Sequence, residues 1–118
     1  MRAALPHMRD DGGRIVVNIS SGAANRALVG WSHYCSTQAA AKKLTEIAHR
    51  ELHQHNIRVV GLSQGTVATD FMATIRDAKI NAVSDLDWVS HIPPHWTAEA
   101  VAFYAATEAA HSLEPIFQ

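Results

Sequence analysis

The chain has 118 residues, 47% of them apolar and 18% charged, and a formal net charge of −1. That suffices for one domain with a modest core, and a chain without basic excess is a poor match for nucleic acid. No run of about 18 apolar residues occurs, so the sequence offers no membrane-spanning helix.

Residues 1–9 read as the last turns of a helix, and Asp11-Gly12-Gly13 as a turn. Arg14 to Ser20 carries Ile15, Val16, Val17 and Ile19. That near-continuous β-branched run predicts a parallel strand buried on both faces. Ser21 to Gly30 is a loop of small residues. Ser32 is placed to cap the following helix through its hydroxyl. Ala39, Ala40, Ala41, Leu44, Ile47, Ala48 and Leu52 give that helix an apolar face to about His53, and Asn56 ends it. Ile57 to Leu62 predicts a second buried strand, and Ser63-Gln64-Gly65 the next turn.

Thr69 to Ala78 reads as helical, followed by an irregular stretch to Trp96. Thr97 is expected to cap a last helix bearing Val101, Phe103, Ala105, Ala106 and Ala109, and Glu114 to Gln118 a final short strand. Strands alternating with helices imply an α/β fold with a parallel sheet and right-handed crossovers.

Two segments carry chemistry. In the first, Ser21 stands at a strand end and Tyr34 follows thirteen residues later at a helix start, with Gln38 one turn beyond. Strand alternation turns Ser20 and Ser21 to opposite sides, so only one of the two hydroxyls can serve the same site. The second segment, Gly65-Thr66-Val67-Ala68-Thr69, follows the second strand.

Together these segments resemble the C-terminal half of the short-chain dehydrogenase/reductase family. Its members pair a strand-end serine with a Tyr-x-x-x-Lys helix and follow the next strand with Pro-Gly-x-Val/Ile-x-Thr. The wording Gly30-Trp31-x-x-Tyr34-Cys35 and Thr69-Asp70-Phe71-Met72 looks most like sepiapterin/benzil-reductase-like members. The resemblance implies that Tyr34 is the acid/base and Ser21 the oxyanion partner. It also implies that Gly65, Val67 and Thr69 contact an NAD(P) cofactor, and that the substrate is a small carbonyl or alcohol. Gln38 stands in the lysine position and Gln64 in the proline position. A free phenol holds its proton to about pH 10. An ammonium one helical turn away would ease its release, and the uncharged Gln38 amide supplies no such charge. Lys42 and Lys43 lie eight and nine residues past Tyr34, about 12 Å or more along a helix, too far to substitute.

His49 and His53 stand at i and i+4, but Arg50 occupies the place where a zinc-protease helix needs glutamate. No metal site is expected there, only a solvated helix face. His91, His95 and Trp96 fall in the stretch that caps the substrate pocket in the resembling family; they line a pocket or fill a loop.

The family's Gly-rich Thr-Gly-x-x-x-Gly-x-Gly turn, its Asn-Ala-Gly segment and its catalytic asparagine have no counterpart in these residues. The expectation is a single domain over residues 1–118. It is a partial Rossmann-like, doubly wound parallel sheet of about two to three strands with flanking helices, lacking the nucleotide-binding half. The N-terminus has no apolar stretch long enough for a signal peptide, and the lone Cys35 fits a reducing cytoplasm. The functional expectation is an NAD(P)-dependent oxidoreductase lineage, inactive as an isolated chain, that forms a homo-oligomer or joins a full-length homologue. The alternative is a non-catalytic interaction module, or a truncated relic, associating through the Ala-rich helix face of residues 39 to 48.

Overall fold

The computed structural model describes residues 1–12 and 14–106. Helix α1, Leu5–Asp10, has a proline in its first turn, where a missing N–H breaks no helical bond. Strand β1, Arg14–Ser20, and strand β2, Ile57–Ser63, form a two-stranded parallel sheet. The register runs from Arg14 opposite Ile57 to Ser20 opposite Ser63. Helix α2, Ser32–Leu52, connects them and completes a βαβ unit.

The core forms where α1, α2 and the strands meet. Leu52, Ile57 and Val59 are buried there, with Leu5, Met8, Val16 and Ala48 packed around them. Two polar ties cross the helix–sheet interface. Asn18 Nδ2 donates to Thr45 Oγ1 at 2.9 Å, and that hydroxyl donates to Ala41 O at 2.9 Å. His49 Nδ1 accepts the Val59 N–H at 3.3 Å, so this histidine is bonded to the sheet.

Three local expectations are corrected. Ser32 does not cap α2: the helix begins one residue earlier, with Trp31 in the capping position and no side-chain capping bond. The Cys35 N–H bonds to Trp31 O at 2.8 Å, which leaves Ser32 in the first helical position. A capping hydroxyl needs the non-helical backbone that Ser32 lacks there. Second, β1 is not buried on both faces. Its residues are half-buried and Ile19 is 51% exposed, because β2 is its one strand neighbour among the described residues. The matching expectation holds for β2, where Ile57 and Val59 are fully buried.

The end of α2 is as anticipated. A 3-10 turn at His53–His55 leads to Asn56 at φ 57°, a left-handed position that asparagine tolerates. Its Nδ2 donates to Gly12 O at 2.7 Å and ties the turn to the one before β1.

Helix α3 is Asp70–Ala78, with Thr69 just before it and Met72 and Ile75 buried. The stretch beyond it folds back on the loop after β2. Ile92 N–H donates to Thr66 O at 3.0 Å and Ala68 N–H to Ile92 O at 2.9 Å. The third correction concerns helix α4, Pro94–Ala106. Pro94 opens it, since the ring presets a helical φ, so Thr97 lies inside and caps nothing; its Oγ1 is buried without a hydrogen-bond partner among the described residues. The strand expected at Glu114–Gln118, and Ala109, lie outside the described residues.

The outer face of α2 carries Leu44, 67% exposed, and Ile47, 44% exposed. Lys43 bonds to Glu46 on the same helix, and this bond holds the Glu46 carboxyl below its usual value of 4.5.

Candidate active site

Because Ser20 pairs with Ser63, both strands stop at one level and their loops leave side by side. The carboxyl end of a parallel sheet is where α/β folds bind ligands. A cleft of about 780 Å³ opens there. Ser21 and Tyr34 line it from one side, and Gly65, Val67 and Thr69 from the other. Ser20 does not line it, and neither does Gln38. The Gln38 Oε1 is instead buried with no hydrogen-bond partner among the described residues.

Ser21 is extended, at φ −144°, and caps the 3-10 turn Gly22–Asn25. Its Oγ accepts the Ala23 N–H at 3.2 Å. A hydroxyl that accepts one bond still has its own proton to donate. The Tyr34 ring is held edge-on to Trp31 at 5.3 Å and tilted against Phe71 at 6.5 Å. Aromatic packing on two sides fixes a ring better than one contact would.

Lys42 Nζ donates to Asn25 Oδ1 at 2.7 Å, tying α2 to the loop that follows Ser21. On the opposite wall, Gly65 holds φ +76°, with open space where a Cβ would stand. The Ile92 bonds engage Thr66 and Ala68 on either side of Val67. A peptide flanked in this way turns its own N–H and C=O to the opposite edge. The Val67 N–H has no backbone partner among the described residues, and its C=O receives a long contact, 3.4 Å, from Thr69 Oγ1.

Arg26, Leu28, Ile75 and Val83 line the cleft without having been singled out from sequence, and Trp31 and Met72, known there only from the wording of the two segments, line it as well. The apolar i, i+3 pair Met72 and Ile75 was a visible signal on α3; Arg26 and Val83 had none. Of the capping stretch, Pro94 and Thr97 reach the cleft, whereas His91, His95 and Trp96 do not line it. His91 is buried, its Nδ1 3.0 Å from Asp87 O and its ring stacked on Trp88. Among the described residues no three His, Cys, Asp or Glu side chains are grouped to hold a metal.

A family model described as short chain dehydrogenase matches residues 1–80. The chain belongs to the short-chain dehydrogenase family. It is 34% identical over 74 residues to benzil reductase ((S)-benzoin forming) of Bacillus cereus, a match covering 61% of this chain and 30% of that protein. It is 30% identical over 112 residues to (3R)-3-hydroxyacyl-CoA dehydrogenase of Rattus norvegicus, covering 93% of this chain and 43% of that one. The chain thus spans less than half the length of these curated relatives.

Among solved structures, 7α-hydroxysteroid dehydrogenase complexed with NADH and 7-oxo glycochenodeoxycholic acid superposes with a TM-score of 0.76 at 24% identity. That match covers 96% of this chain and 45% of that one, and it speaks to fold alone. Acetoin dehydrogenase from Enterobacter cloacae gives a TM-score of 0.71 at 27% identity, covering 94% and 43%. These neighbours establish the Rossmann-type α/β fold.

Proposed function

We propose that the cleft is the carbonyl-side half of an NAD(P)-dependent oxidoreductase site, one that interconverts a carbonyl and an alcohol. The observation that carries this reading is convergence: Ser21, Tyr34 and the Gly65–Thr69 loop come from three separate stretches of chain and line one cleft. In this reading the Tyr34 hydroxyl gives a proton to the carbonyl oxygen during reduction and takes it back during oxidation. Ser21 donates its remaining proton as a hydrogen bond to the same oxygen and stabilises the charge that develops there. The nicotinamide, when bound, supplies or accepts the hydride.

The residues after β2 fit the nicotinamide end of such a cofactor. A carboxamide offers one acceptor and a pair of donors, and the outward N–H and C=O of Val67 are its complement. The Thr69 hydroxyl, loosely bonded at 3.4 Å, can exchange to a ligand. Gly65 leaves the approach open. The pyrophosphate end has no counterpart in these 118 residues, which contain no Gly-rich Thr-Gly-x-x-x-Gly-x-Gly turn. We therefore propose that the 118 residues alone do not turn over.

Reduced nicotinamide mononucleotide at millimolar concentration is expected to shift the amide resonances of Val67 and Thr69. Shifts confined to other residues would sink the assignment. Calorimetric titration of NADH and NADPH is expected to show no saturable binding in the micromolar range, for wild type and Gln38→Lys alike. Micromolar binding would mean that a complete nucleotide site assembles from these residues.

A second reading is association through α2. Leu44 and Ile47 stand exposed on the outer face of that helix. This reading is compatible with the first and takes a second copy of the chain, or a longer homologue, as partner.

A further inference from the structure

The inference here rests on the carbonyl-site reading and adds a substrate class to it. Arg26 is the one charged side chain among the described residues that line the cleft. It is exposed, and its guanidinium has no ion pair or hydrogen bond among the described residues. Arg14 is paired with Asp11 at 3.1 Å and Arg76 is held by Leu86 O and the Trp88 ring; what sets Arg26 apart is its place on the cleft wall. The Arg26 backbone is fixed, since it closes the 3-10 turn begun by Ser21 and its N–H bonds to Ala23 O at 3.4 Å. Thus one short turn carries both Ser21 and this cation.

Much of the remaining wall is apolar: Leu28, Trp31, Phe71, Met72 and Ile75. A guanidinium is weakly hydrated and matches a carboxylate through two parallel hydrogen bonds. Beside an apolar wall that pairing is screened less than in open water. We propose that Arg26 is a specificity-determining residue, and that the cleft takes a carbonyl compound with an apolar body that also carries a carboxylate. The apolar body lies against Trp31 and Phe71, the carbonyl meets Ser21 and Tyr34, and the carboxylate meets Arg26.

The test uses 3-benzoylpropionate, an aryl ketone with a carboxylate, and its uncharged methyl ester. Both are titrated into the 118-residue chain, wild type and Arg26→Gln, with NMR shifts as the readout. At low salt the acid is expected to bind roughly tenfold more tightly than the ester in wild type. In Arg26→Gln the ratio falls to about one while ester binding stays unchanged, which also shows that the variant is folded. Raising the salt to about 0.5 M narrows the wild-type ratio.

Equal binding of acid and ester to wild type overturns the proposal but leaves the carbonyl site standing. So does an acid preference that survives in Arg26→Gln. If Arg26→Gln weakens reduced nicotinamide mononucleotide and leaves the acid-to-ester ratio intact, the guanidinium serves a nucleotide phosphate and the proposal is wrong. If neither ketone binds, the carbonyl-site reading falls and takes the proposal with it.

Discussion

Thr45 is 2% exposed, and its hydroxyl serves as both donor and acceptor. It gives its proton to Ala41 O and takes one from Asn18 Nδ2, so one side chain couples α2 to β1. Thr45→Val keeps the shape and strands the Asn18 amide. A buried donor left unpaired costs about 1–3 kcal/mol. In an Asn18→Leu background no amide remains to strand, so the cost of Thr45→Val should fall to less than half. Urea denaturation of the four proteins gives the coupling energy; strictly additive costs would show that the bond contributes nothing. At this scale the sequence was legible where spacing carried the signal. Ser21 and Tyr34 could be paired because their types and thirteen-residue spacing match the strand-end serine and helix tyrosine of the family the chain resembles. Thr45 could not, because a threonine in an apolar helix face does not announce a partner 27 residues away. Arg26 was silent for the same reason: an arginine in a loop shows no sign of what it will face.

At the scale of elements, a near-continuous β-branched run was enough to place β1 and an apolar face to place α2, and β2 and α3 also fall within a residue or so of their expected bounds. The helix starts were harder. Ser32 and Thr97 are good capping residues by type, yet the backbone began each helix earlier, at positions set by Trp31 and Pro94. The stretch after α3 could not be placed from its own residues, since its docking is tertiary: Ile92 bonds to the Thr66–Ala68 loop, and Asn81 Nδ2 donates to Val29 O at 3.0 Å. Gly30 sits beneath that contact. It holds φ +76°, and an added Cβ would fall 2.3 Å from Ile80 Cγ2. Gly12 has a similar φ of +81° but open space around it. Gly12→Ala therefore isolates the backbone cost, about 1–2 kcal/mol. Gly30→Ala carries that cost plus displacement of the Ile80 side chain, whose branch at Cβ restricts it to few rotamers. Its loss of stability should exceed that of Gly12→Ala by about 1 kcal/mol or more. Amide exchange should also quicken across residues 80–92 in Gly30→Ala only. Equal losses in the two variants would mean that the contact with Ile80 is not what holds the segment in place.

For the molecule as a whole, the described residues close one βαβ unit and leave two surfaces without a cover. One is the outer edge of β1, where Ile19 is half exposed and the ladder has no second partner among the described residues. The other is the α2 face with Leu44 and Ile47. Unpaired strand edges and contiguous apolar patches both promote association. The α2 face is the better candidate for a specific contact, because the small side chains of Ala39 and Ala40 let another helix approach closely. Leu44 tests it with little disturbance to the fold. It is 67% exposed, and glutamate is about as good a helix former as leucine, so Leu44→Glu should change the unfolding free energy of the single chain by no more than about 0.5 kcal/mol. On sedimentation at tens of micromolar, wild type should run larger than a single chain and Leu44→Glu as a monomer. A wild type that stays monomeric across that range would remove α2 as an interface. If Leu44→Glu still associates, the open edge of β1 becomes the surface to probe, with a charge introduced at Ile19 as the next variant.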